Sequence, residues 1–148
     1  MSYSSVEAAL LTVIRLMSGY TTTNTSAGDY RILNASSGKS VILTPGAVVA
    51  REVVAAPRRM RTVWGINIEL AIPFRGDVST VATAVRTDRQ ALIDHVDKYP
   101  TLNSAAGVLT ALIIGADEPG EWEGVGGGFW IQRMIMHAEE RSTITIAE

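Results

Sequence analysis

Three stretches carry residue types that bind phosphate or metal in other proteins, and each has to meet the spacing that chemistry demands. Ser36-Ser-Gly-Lys-Ser40 sets a lysine and a hydroxyl behind a glycine, as a nucleotide triphosphate requires. A phosphate loop also needs its first glycine where Leu33 stands and a helix N-terminus after the lysine, whereas Val41-Ile-Leu43 reads as a strand. The stretch is read as a polar turn. His95 lies among Asp94 and Asp97, but helical neighbours one and two apart diverge and do not close on a metal, so a solvated helix face is expected. His137 has no partner near it in sequence. The acidic stretch from Asp117 to Glu123 lacks the alternating oxygen ligands and closing glutamate of a calcium loop. With no cysteine in the chain, thiol catalysis and cysteine-based zinc sites are excluded, and neither G-x-S-x-G nor H-E-x-x-H occurs. No catalytic residue, metal ligand or cofactor is assigned.

What remains is a charge pattern. A basic segment holds Arg51, Arg58, Arg59 and Arg61, and an acidic one holds Asp117, Glu118, Glu121 and Glu123. Opposite clusters on one chain suit a ring of head-to-tail subunits, because a heterologous contact sets one patch against the other in each neighbour. These eight residues are the candidate subunit interface, against the simpler reading of two solvated loops. The formal net charge of −2 supplies no overall field toward nucleic acid or anionic lipid.

Positioning these residues falls to a chain of 148 residues, 47% of them hydrophobic, the size of one domain spanning residues 1–148. The N-terminal apolar stretch has no basic leader and carries Glu7 and Arg15, and no apolar run approaches the ~20 residues of a bilayer span, so a soluble, non-secreted protein is expected. The organising stretch is Arg61 to Ile72. Trp64, Ile66, Ile68, Leu70 and Ile72 alternate with Val63, Gly65, Asn67, Glu69 and Ala71, which predicts a central strand with one apolar face. The other face can meet water or a neighbouring subunit but is costly to bury unpaired. Pro73 to Gly76 break the strand, and from Asp77 the residues Val78, Val81, Ala82, Val85, Leu92, Val96 and Tyr99 predict a helix of about six turns ending at Pro100. Asp88 and Arg89 lie where this stripe drifts.

A first helix is predicted from Ser4, where Ser4 and Glu7 form a capping box, to Gly19, with Val6, Ala9, Leu10, Val13, Ile14 and Met17 on its inward stripe. Thr21 to Gly28 reads as a loop, Asp29 to Leu33 as a short extended piece, and Val41 to Leu43 as a strand. Pro45-Gly46 reads as a turn, and Ala47 to Val54 as a separate exposed or edge strand broken at Pro57. Val108 to Ile114 has no alternation and is expected to be buried on both faces. Gly115 to Gly128 reads as an acidic, glycine-rich loop, Phe129 to Ala138 as the last strand, and Thr143 to Ile146 as a short extension. The expectation is an α+β fold, a mixed, mainly antiparallel sheet covered by two helices in a single domain.

The order of elements and several short phrases resemble the tail terminator proteins of long-tailed, siphovirus-type bacteriophages. They are Gly28-Asp-Tyr-Arg-Ile-Leu33, Val41-Ile-Leu-Thr-Pro-Gly-Ala47, the Trp64 strand, the Gly76-Asp77 helix start, and Tyr99-Pro-Thr-Leu-Asn103 leading to Ala106-Gly-Val108. The resemblance runs from about Val6 to Glu140, and departs in the threonine-rich linker and in Gly126-Gly127-Gly128. It implies a non-enzymatic virion protein of the tail and neck, assembled in the host cytoplasm. Such a protein forms a homohexameric ring that ends the tail tube and joins the tail to the head connector. The implied partners are further copies of itself, the tail tube protein and a connector or stopper protein, with DNA passing through the lumen unbound and no membrane involved. The alternatives are another head-tail connector, a stopper or tail-completion protein, or, from a different class, a small-ligand-binding or enzymatic α+β domain.

Overall fold

Arg59–Pro73 (β3) is the middle strand of the sheet, and its even-numbered residues explain why everything else packs where it does. The computed structural model describes residues 3–33, 38–55, 59–74, 77–124 and 127–143. The elements are α1 (Tyr3–Arg15), β1 (Thr25–Ala27), a single 3-10 turn (Tyr30–Ile32), β2 (Ser40–Ala55), β3, α2 (Val78–Asp97), β4 (Val108–Ala116), β5 (Gly120–Gly124) and β6 (Gly127–Thr143). The strand order is β1-β2-β3-β6-β4, with β5 also on β6; β1 pairs parallel to β2 and the remaining pairs are antiparallel. This is the α+β fold that the hydrophobic pattern predicts.

Ile66, Ile68, Leu70 and Ile72 of β3 and Met134, Met136 and Ala138 of β6 form one apolar face. Val6, Leu10, Val13 and Ile14 of α1 and Val81, Val85, Leu92 and Val96 of α2 close over it as one core. Asp77 caps α2 as predicted, its carboxylate accepting from the Thr80 backbone N–H at 2.8 Å. Trp64 meets the edge of Tyr3 on α1, with ring centroids 5.9 Å apart. Where the α2 stripe drifts, Asp88 pairs with Lys39 at 3.4 Å and Arg89 donates to Gln132 at 3.0 Å, so both side chains are held within the chain.

Several expectations are corrected. Tyr3 is already helical, which places Ser4 inside the helix and not at its N-cap, and the Tyr3 hydroxyl donates to Glu7 at 2.6 Å. The helix ends at Arg15, and the chain turns on to Gly19, whose φ is +94°. The threonine-rich linker contains β1. Asn24 fastens it by donating to the Gly19 and Lys39 carbonyls at 2.7 and 3.3 Å, and the Arg15 guanidinium donates to Thr25 at 2.8 Å. Asp29 to Leu33 is a 3-10 turn capped by Asp29, because that carboxylate accepts the Arg31 N–H at 2.9 Å.

Pro45-Gly46 is no turn: Val41–Leu43 and Ala47–Val54 belong to the single strand β2, with register shifts after Pro45 and Val48. A Cβ on Gly46 would stand 2.8 Å from the Gly65 backbone, and one on Gly65 2.5 Å from the Ala47 carbonyl oxygen. The two glycines admit a close crossing of β2 and β3 that any side chain would block. His95 is not a solvated residue, since its Nε2 lies 2.7 Å from the Val13 carbonyl and joins α2 to α1. β4 is an edge strand, not a doubly buried one, and the acidic stretch contains β5. The expectations on Asn34 to Ser37, on Pro57 and Arg58, and on Ile144 to Ile146 lie outside the described residues.

Candidate functional site

On the side of the sheet away from the helices, the described residues form a cover at one end. There the 3-10 turn crosses behind the strands, and Leu33, Ile42, Ala71 and Phe129 form a second, smaller core with Tyr30, Ile32 and Ile131. Glu69 sits at its margin, 4% exposed. A carboxylate this deep needs partners, and it has two: the Tyr30 hydroxyl donates to one oxygen, and Arg133, next to it across β3 and β6, donates to the other at 3.0 Å. Burial, then the adjacent Glu69 carboxylate, pushes the Tyr30 hydroxyl up to about 12, so it stays a donor at physiological pH.

Beside this cluster, β5 brings up Trp122, whose ring lies 5.5 Å from that of Tyr30. The segment before β5 is tied to β6, because Asp117 N–H donates to the Arg133 carbonyl at 2.9 Å and Gln132 donates back to the Asp117 carbonyl. The outcome is a cavity of about 320 Å³ with Tyr30, Trp122 and Ile131 as apolar walls, Glu69 and Arg133 within it, and Asp117, Glu118 and Glu121 around it. A second cavity of about 330 Å³ lies on the other flank of Trp122, lined by Phe74, Phe129, Glu121 and Glu123.

All four acidic residues singled out from sequence thus gather around Trp122, and all four are exposed. Of the basic residues, Arg51, Arg59 and Arg61 lie at the far end of the sheet. Arg51 and Arg59 are exposed on the β2–β3 ribbon, whereas Arg61 is occupied within the same chain by Glu139 at 2.8 Å and Glu52 at 3.0 Å. Those carboxylates hold the Arg61 guanidinium firmly in its charged form. Arg58 is outside the described residues. Arg61 lies opposite Arg141 of β6 and Glu121 opposite Trp130. The stretch between those two β6 positions is about 35 Å of extended chain, several times the ~10 Å over which exposed charges interact at 0.1 M salt. The clusters cannot neutralise each other within one subunit.

Sequence reasoning missed Tyr30, Trp122, Glu69 and Arg133 as one constellation, because four separate elements bring them together. The signal available was Glu69 on the less apolar face of the central strand. Sequence also hid the exposed edge: Leu109, Leu112 and Ile114 of β4 are 46, 52 and 52% exposed. Among the described residues no group of three metal-binding side chains converges, and no helix is long and apolar enough to cross a membrane.

No protein-family model and no curated protein matches the chain. A solved protein whose name states no function is similar over 100% of this chain and 99% of its own, at 16% identity and a TM-score of 0.50. That likeness concerns the fold.

Proposed function

We propose that this chain is a ring-forming structural subunit of the tail terminator type, which ends the tail tube of a long-tailed phage and joins it to the head connector. The observation that carries the reading is the separation of charge along one continuous sheet, with exposed carboxylates around Trp122 at one end and the exposed Arg51 and Arg59 at the other. Neighbouring subunits placed head to tail bring these ends together, and repetition of a heterologous contact closes into a ring when the rotation per step permits. The sequence phrases from Gly28 to Val108 direct the reading to tail terminators among ring-forming proteins. In this proposal the subunit does no catalysis. Its partners are its own copies, the tail tube protein and a connector protein; DNA crosses the lumen without specific contacts, and the protein acts in the virion after assembly in the host cytoplasm.

A second reading has one observation behind it. The cavity beside Glu69 is large enough for a small ligand, and a ligand-binding α+β domain would use it as its pocket. Negative-stain images of the purified chain separate the two. Rings with a central lumen are expected; compact particles of single-chain size, together with saturable binding of a small molecule, would replace the ring by the pocket.

A further inference from the structure

Trp122 is 46% exposed and stands between the two cavities, each with an aromatic wall and a carboxylate rim. Exposed tryptophan flanked by concavities is the form of a protein-protein hot spot, and carboxylates with aromatic faces are what an arginine guanidinium fits best, through ion pairing and stacking. At the other end of the same sheet, the β2–β3 ribbon has the complementary chemistry: Arg51 and Arg59 exposed, with Val48, Val49 and Val53 exposed beside them, Val53 to 63%.

We propose that the surface around Trp122 is the socket for the β2–β3 ribbon of a second copy of this chain, with Arg59 or Arg51 against the carboxylate rim and the ribbon valines against the aromatic walls. The inference rests on the ring reading and deepens it by naming both halves of the contact. Charge and apolarity match at once: four carboxylates surround the cavities where the ribbon offers guanidinium groups, and Val48, Val49 and Val53 of the ribbon are exposed. Arg61, already held by Glu52 and Glu139, fixes the ribbon instead of entering the socket.

The test uses the full chain, sedimentation velocity and two charge variants whose changed side chains are all exposed. A ribbon variant, Arg51→Glu with Arg59→Glu, and a socket variant, Glu118→Lys with Glu121→Lys, are each expected to sediment as monomer where the wild type assembles. Mixing them in equal amounts is expected to restore large particles of one-to-one composition, since the reversed ribbon of one then faces the reversed socket of the other. Trp122→Ala is expected to weaken self-association about thirtyfold. Variants that assemble like wild type, or a mixture that stays monomeric while wild type assembles, would overturn the socket and leave the ring intact. Wild-type protein that never assembles would overturn both.

Discussion

Leu70 and Glu69 are consecutive on β3, both are buried, and they face opposite sides of the sheet. Leu70 meets the side chains of two helices in a continuous apolar core. Glu69 lies where the opposite face passes from a small core to an open surface, and it is tolerated only because Tyr30 and Arg133 supply hydrogen bonds. The helix-covered face buries apolar area and so dominates the stability of the subunit. The other face has its small core where the 3-10 turn crosses it, and beyond that core Trp122 and the carboxylates around it are exposed.

Substitutions on the two faces are therefore expected to separate in their effects. The largest change is expected for Leu70→Ala, which should cost about 2–5 kcal/mol as a buried large-to-small truncation. A denaturation midpoint equal to wild type would place Leu70 outside the core. Glu69→Ala should cost less, about 1–3 kcal/mol, because it strands the Tyr30 hydroxyl and the half-exposed Arg133 without their acceptor. A neutral outcome would mean that water replaces the carboxylate there and that the cluster is not structural.

A smaller, pH-dependent effect is expected on the helix side, where burial raises the Glu140 carboxyl above its usual value of 4.5. The folded state then holds its proton more tightly than the unfolded chain. The associated stability is complete below 4.5 and is lost as pH rises through the folded value. Glu140→Gln should therefore raise the thermal midpoint at pH 7 more than at pH 4.5, and an equal change at both would assign the effect to packing. The smallest change is expected for Leu112→Ser on the exposed edge, within about 0.5 kcal/mol in the isolated subunit. A large loss would show that β4 is covered within the monomer.

The comparison also explains what could be read in advance. The alternation from Trp64 to Ile72 and the stripe from Val78 to Val96 specify a helix-covered strand because burial on one face imposes a period on the sequence. No such period marks Val108 to Ile114, where apolar residues point both into the core and out of it, so an exposed edge looks like a doubly buried strand. Pro45-Gly46 carries the composition of a turn, yet Gly46 is required by the backbone of Gly65, a partner nineteen positions away that local pattern cannot supply. The acidic cluster was legible as charge. Its arrangement around Trp122 was not, because β5 is defined by its pairing to β6 and the wall opposite it comes from Tyr30.

The central claim is that these ends meet between subunits, and sedimentation velocity of the full chain across protein concentration and salt tests it most directly. A closed species near six times the 15.9 kDa chain mass is expected at 0.1 M salt. A shift toward monomer is expected at 1 M, where the screening length falls to ~3 Å. A single 15.9 kDa species at every concentration in 0.1 M salt would contradict the claim.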